Sequence, residues 1–335
     1  METALIEPGR ACGLAPCAPE ATHNNSIAHR MSPTDSPTAE PAAFRFLQLR
    51  GADAADFLHG QLTCDVTGLP EGRWTWAGYC SAKGRLQAVG RLARIVDGWV
   101  WQLPGAEIEA VAAQLRRFVL RAKVQISPGA VDEAAVRIRG AGALASVAAR
   151  GTVALDPGAA ASCDGLVVLA TAPGELLVQG DGGRLRQWLG SLEAECPDLL
   201  IAPAAPAEDI EAGLPWLAAP TRDAFIPQMV DLDRLGGVSF QKGCYPGQEI
   251  VARTQYLGRV KRRLHLAFTT ALPAPGAAVQ TADAGEPAGT VLQARRLDTD
   301  RSVVLAVLDE SLAASVPLRL ATGDPLADVR LCRPD

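Results

Sequence analysis

Leu47-Gln-Leu49-Arg-Gly51, Val136-Arg-Ile138-Arg-Gly140 and Leu176-Leu-Val178-Gln-Gly180 share one plan. In each, apolar residues stand two and four positions before a glycine, so they face one side of a strand. The glycine lets the chain turn sharply. Helix-compatible stretches follow at 54–62, 143–149 and 184–192. None of the three carries a full G-x-G-x-x-G, so a dinucleotide-binding fingerprint is absent. The expected fold class is α+β with related units, not a Rossmann sheet.

Between the first two units the chain reads as strands at 74–80, 85–95 and 99–103, with Lys83-Gly84 at a turn. A helix is predicted over 107–120, with Ile108, Val111, Leu115, Phe118 and Val119 on one face. A strand at 123–126 closes the region. The second and third units form a smaller α+β domain, ended by the Pro/Ala linker 202–207. Asp209-Ile-Glu211-Ala-Gly213-Leu-Pro215-Trp216 then reads as a strand ending in a loop. From Arg259 onward, short alternating strands separated by Pro/Gly turns suit a small β-barrel. The expected domains are 44–130 plus 208–258, 131–207, and 259–335. Residues 1–43 are rich in alanine, proline, serine and threonine and are expected to be a disordered tail. Met31 opens an ordinary start, and intact mass of natively expressed protein tests whether translation begins there.

At 335 residues the chain suggests two or three domains, and its 48% apolar content is ample for their cores. No apolar run approaches a membrane span. A net charge of −5 argues against a broad nucleic-acid-coating surface. One local run, Arg259-Val-Lys261-Arg262-Arg263, reads first as a solvated strand edge and second as a polyanion contact. The eight cysteines form no C-x-x-C pair and no zinc spacing with histidine. Free thiols in a reducing cytoplasm are expected. Only four lysines occur, at 83, 123, 242 and 261, in a chain that otherwise uses arginine. Lys83 and Lys242 both lie in glycine-flanked turns, where a compact ammonium suits a ligand-binding role.

The octet Lys242-Gly-Cys-Tyr-Pro-Gly-Gln-Glu249 carries the candidate chemistry. Cys244 stands two residues from an ammonium and directly ahead of a helix start expected at Pro246. A cation and a helix N-terminus both favour a thiolate, which makes Cys244 a candidate reactive or ligand thiol. Gly243 and Gly247 relieve the backbone around it, and Gln248 is a candidate anchor for the loop. Glu249 and Arg253 are spaced i,i+4 and suit a helix ion pair. Cys64 and Cys80 read as core, and His59 as polar surface rather than a base. Asp65 and Gln61 fit either capping or ligand contact.

With these pieces in hand, the chain resembles the YgfZ-type folate-binding proteins, relatives of the glycine-cleavage T-protein (aminomethyltransferase). The matching pieces are Gly51-Ala-Asp, Phe57-Leu-His-Gly-Gln61-Leu-Thr-Cys-Asp65 and Ser81-Ala-Lys83-Gly84-Arg85. Lys123-Val, Ile210-Glu211-Ala-Gly213, Phe225-Ile-Pro-Gln228, Gly236-Gly237-Val-Ser-Phe240 and Lys242–Arg253 follow in family order. The octet is specific to this branch; the glycine-cleavage relatives have a similar Lys…Gly…Glu segment without the cysteine. The resemblance implies a three-domain ring around a central tetrahydrofolate cavity, with Cys244 facing it. It implies that Glu211 pairs with the pterin N–H groups and that Phe44 contacts the ring. Lys83, Arg253 and Gln248 complete the candidate folate-binding set, with Cys244 and Lys242 as the candidate chemical pair. A second family aromatic, before Ile210, is replaced by Ala204, Ala205 and Ala207. The family's role is iron–sulfur cluster assembly or repair in client enzymes, radical-type tRNA methylthiotransferases among them, so tRNA modification would be supported indirectly. Two alternatives are a folate-dependent one-carbon transferase and a folate sensor without chemistry. Residues 79–96 contain no acid where the aminomethyltransferases carry an aspartate, which speaks against the transferase.

Overall fold

The computed structural model describes residues 43–150, 154 and 156–333. The expectations for the tail and for a start at Met31 fall on residues 1–42, outside the described residues.

Five strands make the first sheet: β1 Phe44–Arg50, β2 Arg73–Cys80, β3 Leu86–Ile95, β4 Gly98–Pro104 and β5 Gln125–Pro128. Their order is β2-β3-β4-β1-β5, antiparallel throughout. Helix α1 Ala54–His59 and helix α2 Ile108–Arg116 cover one face. Leu47, Leu49, Leu58, Trp101, Ile108, Val111 and Leu115 are buried together beneath them. The predicted 107–120 helix stops early, leaving Phe118 and Leu120 49% and 87% exposed. Val119 packs against the core, but Phe118 and Leu120 bury too little apolar surface to hold a further helical turn.

The second sheet contains β6 Glu133–Arg139, β7 Ala160–Cys163, β8 Leu166–Ala172, β9 Glu175–Asp181 and β10 Leu200–Pro203, in the order β10-β6-β9-β8-β7. Helices α3 Ala141–Ala149 and α4 Gly182–Glu195 bury Leu144, Val147, Leu185, Trp188 and Leu192 against it. Two of the three turning glycines behave as expected: Gly51 and Gly140 have φ of +124° and +117°. Gly180 instead stays within β9, opposite Leu166, and the turn is made by Asp181, whose carboxylate accepts from Arg184 N at 2.8 Å.

The chain then returns to the first sheet. Asp223 N donates to Leu86 O, and Leu86 N to Phe225 O, both at 2.8 Å. Ser239 N donates to Thr63 O at 2.9 Å, and Gln228 Nε2 to Val251 O at 2.8 Å, docking helix α5 Gln248–Leu257. The strand expected from Asp209 is a correction: Pro206–Asp209 is a 3-10 turn and residues 210–213 form a further turn. Indole Nε1 of Trp216 donates to Asp209 at 2.8 Å, curling the segment inward instead of extending it. The C-terminal region is a closed six-stranded barrel, β11 Arg262–Thr269, β12 Ala278–Thr281, β13 Pro287–Arg296, β14 Ser302–Asp309, β15 Leu318–Leu320 and β16 Pro325–Leu331. Helix α6 Glu310–Ser315 follows β14. The remaining sheet faces meet each other and the barrel in one buried cluster that includes Trp76, Leu177, Trp216, Leu266 and Leu292. The molecule is thus α+β, with two helix-covered sheets and a barrel. None of the described helices is long and apolar enough to cross a membrane.

Candidate functional site

Where the two sheets and the 208–214 segment meet, a cavity of about 380 Å³ opens. Trp74 and Trp76 of β2 wall one side, and Arg137 and Arg139 of β6 with Glu175 of β9 wall another. Alternation along β2 sends these two tryptophans to the same sheet face, and their rings meet edge-on at 6.2 Å. Arg91 of β3 lines the cavity and is 2% exposed. Its guanidinium lies 4.9 Å from the Trp76 ring and 5.0 Å from the Trp216 ring. One end donates to Gln102 Oε1 at 2.8 Å and the other to Asp209 Oδ2 at 3.2 Å. Burial pulls the Arg91 pKa down, and the Asp209 carboxylate opposes that shift. Asp209 also accepts from Arg137, so its charge is met by two guanidiniums and an indole.

From Gln102 a buried relay crosses between the sheets. Gln102 donates to Gln179 at 2.6 Å, Gln179 to Glu133 at 2.9 Å, and Glu133 accepts from Phe46 N at 2.9 Å. Burial pushes the Glu133 carboxyl up, with the Gln179 and Phe46 hydrogen bonds pulling the other way. Such a fully bonded polar chain holds the two cavity walls in one arrangement.

The sequence-predicted folate residues are placed unevenly. Phe44 is wholly buried; its ring packs on Trp216 at 4.7 Å, and Trp216 packs on Trp76 at 5.2 Å. It supports the wall from behind and does not line the cavity. Glu211 pairs with Arg295 of the barrel at 2.9 Å, with its side chain 43% exposed, while its neighbour Ala212 lines the cavity. Arg295 also reaches Glu208, a cavity residue, at 3.7 Å. Ala204 is buried in the core cluster.

The octet packs elsewhere. Lys242 Nζ donates to the carbonyls of His59 and, at 2.8 Å, Leu62, and sits 4.6 Å from the Tyr245 ring centroid. It thereby caps the C-terminal end of α1, where a cation is favourable. Burial lowers its pKa, against the opposing pull of Cys64, Asp65 and Cys244. Gly247 and Gly84 lie back to back: a Cβ on Gly247 would stand 2.4 Å from the Gly84 Cα, the Gly84 N and the Ser81 O. This close approach joins the Lys83-Gly84 turn to the octet, with the Lys83 side chain exposed beside it.

Cys244 is exposed, on the loop before α5. The helix begins at Gln248, not at Pro246, so the thiol stands four residues ahead of it. Nor does Cys244 line the cavity. The physical reason is the strand between them: the octet packs at the Ser81 end of β2, and Trp76 lies five residues back, roughly 16 Å at ~3.3 Å per residue. Gln248 is half-buried and Arg253 exposed, and neither lines the cavity. No ion pair joins Glu249 to Arg253 among the described residues; both point into solvent, where such a pair gains little. Cys64 and Cys80 are core thiols, each pushed up to about 12 by burial. Asp65 closes a local turn, accepting from Gly68 N at 3.1 Å.

Sequence reasoning missed Trp74, Trp76, Arg91, Arg137 and Asp209. The Trp-x-Trp spacing of β2 was their one legible signal. It also missed Asp223, whose carboxylate accepts from Ser81 at 2.8 Å and Gln87 at 2.9 Å. The acid-free hairpin therefore receives a carboxylate from a distant segment. Among the described residues no group of His, Cys, Asp and Glu is placed to hold a metal ion.

The fold is shared with a solved aminomethyltransferase. The structure of glycine cleavage system aminomethyltransferase T from Bartonella henselae superposes with a TM-score of 0.65 over 87% of this chain and 83% of that one, at 13% identity. No family model matches the sequence. Two relatives are closer in sequence, each described as tRNA-modifying protein YgfZ. The one from Edwardsiella ictaluri (strain 93-146) is 35% identical over 286 residues, 82% of this chain and 85% of its own. The one from Cronobacter sakazakii (strain ATCC BAA-894) is 33% identical over 279 residues, 81% and 84% of the two chains. The chain belongs to the YgfZ family.

Proposed function

We propose that the chain is a cytoplasmic folate-binding accessory protein that supports assembly or repair of iron–sulfur clusters in client enzymes, and so tRNA modification indirectly. The observation that carries this reading is the tryptophan-walled cavity between the two sheets. Its volume of about 380 Å³ falls in the ~300–1,000 Å³ range of small-molecule sites. Indole walls suit a flat pterin ring, and the Glu208 carboxylate on the lining, with Glu211 just outside it on the same Arg295, suits its donor edge. Arg139, with its side chain 60% exposed, suits the glutamate tail. In this reading the three parts of the molecule form a ring around the folate. Bound tetrahydrofolate would supply a one-carbon carrier and occupy the space that joins the walls.

Cys244 acts at the surface, on a client, rather than on the folate. Its thiolate opens a client disulfide: one client sulfur joins Cys244, the other leaves as a thiolate, and the Cys244 proton passes to water. A cluster takes about four cysteine ligands, so any cluster contact needs the client's own thiols. Each cavity carboxylate is tied to a guanidinium, Asp209 to Arg91 and Arg137, Glu175 to Arg139, and Glu208 to Arg295. That pairing leaves no unpaired carboxylate on the cavity lining, and Asp223 lies outside it, which disfavours one-carbon transfer there.

Titration with tetrahydrofolate, followed by tryptophan fluorescence, tests the cavity. Saturable quenching that Trp76→Ala weakens at least tenfold is expected. In cells lacking the protein, a cluster-dependent enzyme should lose activity, restored by wild type and not by Cys244→Ala. Absent folate binding together with normal client activity would sink the proposal.

A further inference from the structure

Two clefts of about 500 and 440 Å³ share Thr254, Arg259 and Val260, so they run together as one trough between the end of α5 and the barrel. Six cations line it: Arg85, Arg234, Arg259, Lys261, Arg262 and Arg263. Two of them are neutralised, because Arg263 meets Asp231 at 3.2 Å and Asp233 at 3.1 Å, and Arg234 meets Asp231 at 4.0 Å. Arg85 donates to the Ala224 carbonyl at 2.5 Å, which leaves its charge unmatched. Among the described residues Arg85, Arg259, Lys261 and Arg262 have no ion-pair partner. Two acids also line the trough, Asp309 and Glu310. Asp309 caps α6, accepting from Ser311 N at 3.0 Å, and its carboxylate also lies in the field of Arg262, its register partner on β11, without forming an ion pair with it.

The patch does not follow from a basic composition, since the chain carries a net charge of −5. A protein partner would call for an apolar centre in the interface. None of the exposed large apolar side chains, Ile250, Tyr256 and Leu257 of α5 included, lines the trough. Of the larger apolar residues in its lining, Phe225, Ile226 and Val307 are buried, leaving only Met229 and Val260 partly exposed, too little for such a centre. The rest of the exposed lining is mainly cationic and hydrogen-bonding, and guanidinium forks match phosphate oxygens. We propose that this trough binds the phosphodiester backbone of a nucleic acid strand, without reading its bases. The site is separate from the cavity and does not depend on folate.

The test is fluorescence anisotropy of the full chain with fluorescein-labelled 20-nucleotide RNA and DNA strands, without folate. Four cations without an ion-pair partner predict a log–log salt slope of about −3, or about 50-fold weaker binding at 200 mM than at 50 mM salt. Arg259→Glu/Lys261→Glu/Arg262→Glu should weaken binding at least tenfold at 50 mM, and the neutral Arg259→Gln/Arg262→Gln pair should flatten the slope to about −1.5. Both variants should keep the wild-type circular dichroism spectrum. A preference for either strand tells whether the 2′-hydroxyl is read, and either strand supports the proposal. Binding that is indifferent to salt or to both variants overturns it. So does displacement of the strands by poly-glutamate at equal charge, the outcome expected of a surface for acidic proteins.

Discussion

Gly247 and Gly236 have nearly the same φ, +77° and +76°, and this pair isolates what joins the octet to the first sheet. Left-handed backbone costs a residue with a Cβ about 1–2 kcal/mol, and both alanine variants incur that cost. At Gly236 nothing lies within 4 Å of an added Cβ, so Gly236→Ala should lose about 1–2 kcal/mol and no more. At Gly247 the new methyl would stand 2.4 Å from three backbone atoms of the Ser81–Gly84 turn. Backbone cannot swing aside as a side chain does, and overpacking of this kind adds roughly 1–3 kcal/mol. Gly247→Ala should therefore lose about 2–5 kcal/mol. Urea unfolding at one temperature, with equal m values, measures the difference directly. If the two variants fall within about 0.5 kcal/mol of each other, the turns do not press together and the account of the octet fails.

Lys242→Met removes two charge-assisted bonds to the end of α1 and should cost about 2–3 kcal/mol in thermal or urea unfolding; an unchanged midpoint would remove the ammonium's capping role. Asp209→Asn leaves Arg91 without its ion-pair partner and Arg137 with only Glu175 at 3.6 Å, and should cost about 3–5 kcal/mol, whereas Glu211→Gln breaks only an exposed pair and should cost under about 1 kcal/mol. Reversal of that order in unfolding experiments would show that the buried network is not what holds the cavity. His265 is 4% exposed and its pKa is lowered by burial, with Nδ1 donating to Arg263 O at 2.9 Å. The unfolded chain binds this proton more tightly, so the contribution is fully present above about pH 6.5 and is lost as pH falls toward the lower folded value. His265→Gln should flatten the stability profile below about pH 6.5, and an unaltered profile would contradict the assignment.

Much of the fold was legible because it rests on local periodicity. The first two units, 44–62 and 133–149, are visible in alternating strands that end in a glycine, since burying one sheet face dictates that spacing. Gly180 looks the same in sequence, yet it stays in its strand: opposite it is Leu166, whose side chain leaves no room for a Cβ. The 209–216 segment reads as a strand but coils, because Asp209 finds two arginines from different sheets. Neither partner is visible from its own neighbourhood.

The candidate site divides along the same line. The octet as a group was legible in the sequence alone, because a lysine, a cysteine and two glycines within eight residues need no distant partner to be noticed. The tertiary structure decided where those groups work. It placed Cys244 at one end of β2 and the cavity at the other, set Phe44 behind Trp216, and gathered Trp74, Trp76, Arg91, Arg137 and Asp209 from three parts of the chain. Residues brought together by sheet pairing and packing leave no trace in local spacing. A cavity is made of such residues, so only the folded chain could show it.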